Sequence, residues 1–395
     1  MRTLLINLAV LLFVSSYGQT LEPLRHVEDA ATIPIALVHA TVHVDARTTL
    51  VDATLLIRDG SIVAIGKKVD LPKDALRIDL HGLHLWPALI DPYSDLGLSS
   101  NSTAKIDGGS AVGARNWNGA LHAELRADEQ ITNDTARTKE LRKQGFATVI
   151  THRMDGIARG TSAAFALDDG PLPTSVIEPE VAAYFSLKKG SSPDAYPRSQ
   201  MGAIALVRQA FLDAQLYGGT NMHDERDLVL GSLSKQLKGR TVFEAEDRNE
   251  VLRWGKVLAE FDLPGIVKGS GDEYARVDAI RRMGVPLVVP VNFPEAYDVE
   301  DPYDALEVSY ARLKHWELAP HNAAILDSAG VSFALTAHGR KDLKDLWKDM
   351  RRMVSAGLDS ARAIELFTTE PARLFGLDDR IGALKEGLRA DLLVT

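Results

Sequence analysis

The chain has 395 residues, 45% of them apolar and 25% charged, with a formal net charge of −9. That length suits one large α/β barrel or about two to three smaller domains, in an ordinary globular composition. The acidic balance and the lack of long basic runs argue against capture of nucleic acid or anionic lipid, and with no cysteine disulfides and a lipid-attached cysteine are excluded.

The first segment, MRTLLINLAVLLFVSSYGQT, has a positive start at Arg2, an apolar core from Leu4 to Val14, and small residues Ser15, Ser16 and Gly18. This is the layout of a secretory signal peptide over 1–18, cleaved between Gly18 and Gln19. The core is shorter than the roughly 20 residues of a membrane span, and a signal anchor is the alternative. A periplasmic or secreted protein is expected, free of the membrane after cleavage, with a polar linker over 19–32.

A β-rich section follows. IPIALVHATVHV, ATLLIRDGSIVAIGK and LRIDLHGLHLW are short alternating runs broken by turns. Asp59-Gly60 suits a tight hairpin with positive φ. His39 and His43 fall on one face of a strand about 13 Å apart and are read as surface residues, while His81 and His84 flank a turn and are read as structural.

From about Leu83 strands alternate with helices. FATVITH is a strand preceded by the helix-like TARTKELRKQG, with Gly145 as its cap. RSQMGAIALVRQAFLDAQLYGG reads as a long helix, capped by Ser199, ended by Gly218, with Ile204, Val207 and Phe211 inward. TVFEA, LPGIVKG, PLVVPVNF and VSFALTA are further strands, and DDGPLPTSVIEP reads as a loop and hairpin insertion. Such alternation implies a parallel sheet closed into a barrel; an open doubly wound sheet is the competitor, but no Gly-rich phosphate loop follows any strand. The final ADLLV returns to the β style, and its partners are expected among the N-terminal strands. The expected division is a β-sandwich domain over 33–82 plus 379–395 and a barrel over 83–378. Because the chain stops inside that strand pattern, either the fold ends unusually early or the chain is a piece of a longer protein.

Several of these segments together resemble the amidohydrolase superfamily. LLIRDGSIVAIGKKVDLPKDALRIDLHGLHLWPALID is similar to the family's opening, where a β-domain hairpin leads to the first barrel strand. AGLDSARAIELFTTEPARLFGLDDRIGALKEGLRADLLV resembles its closing helices and last strand, while YARVDAIRRMGVPLVVP and LDSAGVSFALTAHG match more loosely the elements around the sixth and eighth barrel strands. The resemblance is nearest to the imidazolonepropionase-like branch, which includes exported members with two such modules in one chain. It implies a (β/α)8 barrel with a small β-sandwich domain built from both chain ends.

It also implies hydrolysis of non-peptide C–N bonds by a divalent metal, which lowers the pKa of bound water and polarises the carbonyl. The family's ligands come from a His-x-His after strand one, a Lys or Glu on strand four in some members, histidines on strands five and six, and an Asp after strand eight. At the matching positions this sequence has Tyr93 and Asp95 in LIDPYSDLG, Glu244 in RTVFEAEDRNE, Lys268 in LPGIVKGSGDEY and His338 in FALTAHG; no strand-four ligand can be placed. A protonated lysine repels a metal ion. The expectation is therefore an impaired site without metal, in which Lys268 is the counter-ion of Asp95 and Glu244, with Tyr93 and His338 completing the network. His152 and Arg153, in the loop THRMDGIARGTS after a barrel strand, are candidates for ligand binding.

Three functions stay open. The chain is a structural or ligand-binding module paired with a competent amidohydrolase module or another copy of itself; or an active hydrolase with Asp95, Glu244 and His338 around one divalent metal such as zinc; or a periplasmic small-ligand-binding protein. No Gly-x-Ser-x-Gly elbow supports serine-hydrolase chemistry.

Overall fold

The computed structural model describes residues 33–98, 116–219 and 226–395. The expected signal peptide and the linker lie outside the described residues. The chain opens with β1 (Ile35–His43), β2 (Thr49–Arg58), β3 (Ser61–Gly66), β4 (Leu76–Asp79) and β5 (His84–Pro87). Asp59 and Gly60 both take positive φ, 50° and 72°, making the hairpin between β2 and β3. β1 runs antiparallel to β2 and parallel first to β4, then to β5. The last strand of the chain, Leu392–Val394, pairs antiparallel with β5, Leu393 opposite Trp86. The first and last described strands thus meet in one six-stranded sheet. Leu37, Val42, Leu55, Ile62, Leu85 and Leu384 form its own apolar core.

The barrel is built from β6 (Leu89–Ser94), β7 (Phe146–Thr151), β8 (Ala158–Thr161), β9 (Ala163–Ala166), β11 (Ala183–Phe185), β12 (Thr241–Glu244), β13 (Gly265–Lys268), β14 (Leu287–Pro290) and β15 (Phe333–Thr336). β10 (Val176–Glu178) extends the sheet as an antiparallel partner of β9, in the stretch expected to hold a hairpin. β6 and β7 are parallel, as are β11 through β15 in order. The third position differs from an all-parallel barrel. There β8 and β9, separated only by Ser162, run antiparallel to β11 on one side and to β7 on the other.

Side-chain alternation explains the layering. Ile90, Ile150, Tyr184, Val242, Ile266 and Val288 fill the barrel interior. Their neighbours Val149, Phe185, Phe243, Val267 and Val289 face outward into the helix layer. In that layer the helix Gln200–Gly219 buries Ala203, Leu206, Val207, Ala210, Phe211 and Ala214, so Ile204 sits at the edge of the buried stripe. Phe243 stacks on Phe185 and tilts against Trp254 of the helix Arg248–Phe261. No helix among the described residues is long and apolar enough to cross a membrane.

Candidate functional site

Because interior residues recur every second position, the residue two after each interior apolar side chain projects at the barrel mouth. That rule places Glu244 after Val242, Lys268 after Ile266 and His152 after Ile150. Glu244 and Lys268 are also opposite each other in the parallel register of β12 and β13. Lys268 Nζ lies 3.7 Å from Glu244 Oε1 and 5.3 Å from the centre of the Tyr93 ring, and both neighbours favour the ammonium form.

The stronger partner of Glu244 is Arg159, on the antiparallel third strand. Its Nη2 is 2.7 Å from Glu244 Oε2, Nη1 donates to the Tyr93 hydroxyl at 3.2 Å, and Nε donates to the Gly156 carbonyl. Arg159 is 3% exposed. Sequence reading missed it, because IARGT passes for part of a loop; the available signal was an arginine set in a short run of small and apolar residues. Burial alone raises the Glu244 carboxyl, but the Arg159 and Lys268 charges prevail and hold it below its ordinary value. Burial lowers Lys268, with Glu244 opposing.

Tyr93 is fully buried at the centre, and burial holds its hydroxyl far above the ordinary phenol value. His152 and His338 meet its ring edge-on, at 4.4 and 4.9 Å between centroids, and His152 also stacks on Tyr184 at 3.6 Å. Burial, reinforced by nearby cations, drives His152 well below its usual value. Burial and then the Lys268 charge bring His338 down to about 4, so both imidazoles are neutral at pH 7. Beneath them Asp91 accepts from the Thr336 hydroxyl and the Tyr93 amide, which joins β6 to β15 across the barrel closure. Burial pushes Asp91 up to about 7.

Two sequence expectations change. Asp95 is not a partner of Lys268: it pairs with Arg137 Nη2 at 2.7 Å, because the chain leaves β6 at Ser94 and turns this side chain toward the rim helix Thr135–Lys143. Arg153 donates to Gln130 Oε1, whereas His152 is buried in the Tyr93 cluster. The end of β11, the fourth barrel position, leads to Ser186, whose hydroxyl donates to the Gly156 carbonyl. The cluster opens on two clefts. One, of about 180 Å³, is lined by Tyr93, Asp95, Arg137 and His338 among others; the second, of about 260 Å³, is lined by Glu244, Glu246, Glu250, Lys188 and Gln200 among others.

These residues do not fit a divalent ion. Glu244 has each oxygen facing a cation, Asp95 is taken by Arg137, and Lys268 brings a charge of the wrong sign. Among the described residues no three His, Asp or Glu side chains group to hold a metal.

A β-sheet domain made from both chain ends, joined to an eight-position barrel with its polar cluster at the strand ends, defines an amidohydrolase-type architecture. The amidohydrolase family model matches residues 313–395. An amidohydrolase from Thermotoga maritima shares the fold, with a TM-score of 0.71 at 20% identity over 91% of this chain and 93% of that one. A dihydroorotase of Anaeromyxobacter dehalogenans is 25% identical, covering 86% of this chain and 83% of the relative. An adenine deaminase of Jannaschia sp. is 27% identical over 45% of this chain, a match that spans 30% of the deaminase. The chain thus has the amidohydrolase fold, and its residues 313–395 match the amidohydrolase family model.

Proposed function

We propose that this chain is an amidohydrolase-fold module that has exchanged its metal centre for an internal charge cluster, and that it binds a ligand or supports a partner instead of hydrolysing a C–N bond. The observation that carries the reading is the bridging of Glu244 between Arg159, at 2.7 Å, and Lys268, at 3.7 Å. A ligand carboxylate held this way would have to leave two buried cations uncompensated before it met a metal, a change costing several kcal/mol. The partner in this reading is a metal-competent amidohydrolase module or a second copy of the chain. The N-terminal segment 1–18 is read as directing export to the periplasm or beyond, on the strength of its charge and apolar pattern.

The competing reading, an active hydrolase of non-peptide C–N bonds with one metal, is supported by relatives bearing the names adenine deaminase and dihydroorotase and by the neutral His152 and His338. Elemental analysis of the purified full chain separates the two. The proposed reading expects zinc, manganese and iron far below one equivalent, before and after incubation with each metal. One retained equivalent, whose removal abolishes a C–N hydrolysis, sinks it.

A further inference from the structure

The barrel mouth gathers polar atoms that the other described residues leave without partners. Among the described residues neither ring nitrogen of the fully buried His152 has a hydrogen-bond partner, and buried His338 Nδ1 has none. Both rings surround Tyr93, and Lys268 Nζ sits over the same ring. An ammonium has three donors, and Lys268 has one ion pair at 3.7 Å. Donors from the ends of β7, β13 and β15 therefore converge around one aromatic ring.

The neighbouring carboxylates are committed elsewhere. Glu244 is held by Arg159. Glu273, fully buried and close enough to act on Lys268, accepts from the Ser270 and Gly271 amides through Oε1 and from Asn322 through Oε2. Asp91 accepts from Thr336 and the Tyr93 amide, and Asp95 pairs with Arg137. Among the described residues, then, these carboxylates offer the donors no free acceptor, and an exogenous anion is suited to supply one. Each buried donor left alone costs about 1–3 kcal/mol, so an acceptor that satisfied several at once would bind with useful affinity. The cleft of about 180 Å³ that Tyr93 and His338 line has room for a small planar anion and a few waters.

We propose that the barrel mouth binds a small carboxylate anion, held by Lys268 Nζ with His338 and His152 as further hydrogen-bond donors. The inference rests on the reading that no divalent ion occupies this mouth. Lysine takes the place of the metal as the positive centre, and the imidazoles, neutral at pH 7, each offer one N–H. The cleft lined by Tyr93 and His338 reaches this cluster on a different side from the one that Glu244 lines.

The test uses the full chain, after metal analysis, at pH 7. Sodium acetate is titrated against sodium chloride at matched ionic strength, with inorganic phosphate as a third arm, following the unfolding midpoint and the heat of binding. Acetate is expected to raise the midpoint saturably while chloride and phosphate do not. Lys268→Met is expected to weaken acetate binding by about tenfold to a hundredfold, the loss of a hydrogen bond to a charged group. His338→Phe removes a neutral donor and is expected to weaken it by about two- to tenfold. Lys268→Gln provides a second variant should the first fold poorly. Acetate acting no differently from chloride means that internal water satisfies these donors, and overturns the inference. So does wild-type affinity in both lysine variants, or phosphate binding as tightly as acetate. A metal-loaded protein instead overturns the proposed function; a metal-free protein indifferent to acetate overturns this inference alone.

Discussion

Glu244 and Lys268 are the last residues of adjacent parallel strands and stand opposite each other in the ladder, so the register itself brings carboxylate and ammonium together at the barrel mouth. Arg159 reaches the same carboxylate from the antiparallel third strand. The two cations are not equivalent. Removing the carboxylate strands both, whereas removing Lys268 leaves the closer Arg159 pair in place. Glu244→Gln is expected to destabilise the chain by about 3–5 kcal/mol, the cost of breaking a buried pair from one side. Lys268→Met, apolar and of similar length, is expected to fall within about 1 kcal/mol of the wild type or to be more stable. Urea unfolding of both variants checks this ordering, and a lysine variant less stable than the glutamine variant would refute it.

Gly160 sets the position of Arg159. Its φ is +81° on β8, and a Cβ there would overlap the Leu125 carbonyl oxygen, a backbone atom with no freedom to withdraw. Gly160→Ala therefore combines left-handed strain with a steric clash one residue from the guanidinium. It is expected to cost more than the 1–2 kcal/mol or so of φ strain alone and to loosen the Glu244 pair. Thermal unfolding gives the first; for the second, the variant is expected to lose most of the additional cost of Glu244→Gln, which a double-mutant cycle measures.

The fold was readable because its signals are local and repeated. The Asp59-Gly60 hairpin, the outward-and-inward alternation around Phe243 and Val267, and the return of ADLLV to the first sheet all follow from periodicity and turn chemistry. Glu244, Lys268 and His338 were readable as mouth residues because each ends or follows a strand recognisable from its apolar run. The orientation of Asp95 was not readable. It depends on which way the chain turns after Ser94, and Arg137 lies 42 residues away. Arg159 was hidden for a different reason. Its strand is four residues long, rich in small side chains and antiparallel to β11, so neither a helix-separated strand pattern nor a matching family motif marks it.

Thr336 closes the barrel chemically as well as geometrically. Its hydroxyl donates to Asp91 and its oxygen accepts from the His338 amide. Thr336→Val keeps the shape and removes both contacts. The expected loss is about 1–3 kcal/mol from the buried groups left unsatisfied, and Asp91, already at about 7, should move higher. An infrared carboxyl band followed through pH reports the shift; an Asp91 band titrating at or below the wild-type value contradicts the role assigned to the hydroxyl.

The pH dependence of stability separates His338 from Asp91, because their shifts have opposite signs. His338 falls from 6.5 to about 4 on folding, so between those values the unfolded chain binds more protons. Its contribution is present above pH 6.5 and is lost as the pH falls toward 4. His152, lowered in the same direction, adds to that slope. Asp91 rises from 3.8 to about 7. In its window the folded chain binds more protons, so its contribution is present below pH 3.8 and is lost as the pH rises through 7. His338→Phe should therefore remove on the order of 2–3 kcal/mol of the acid-side loss, and Asp91→Asn should improve relative to wild type as the pH climbs from 4 to 8. Urea midpoints of the three proteins, measured at intervals from pH 4 to 8, show whether the difference curves slope in opposite directions. If the His338→Phe curve runs parallel to wild type, the imidazole is not buried in its neutral form and the electrostatic picture of the barrel mouth fails.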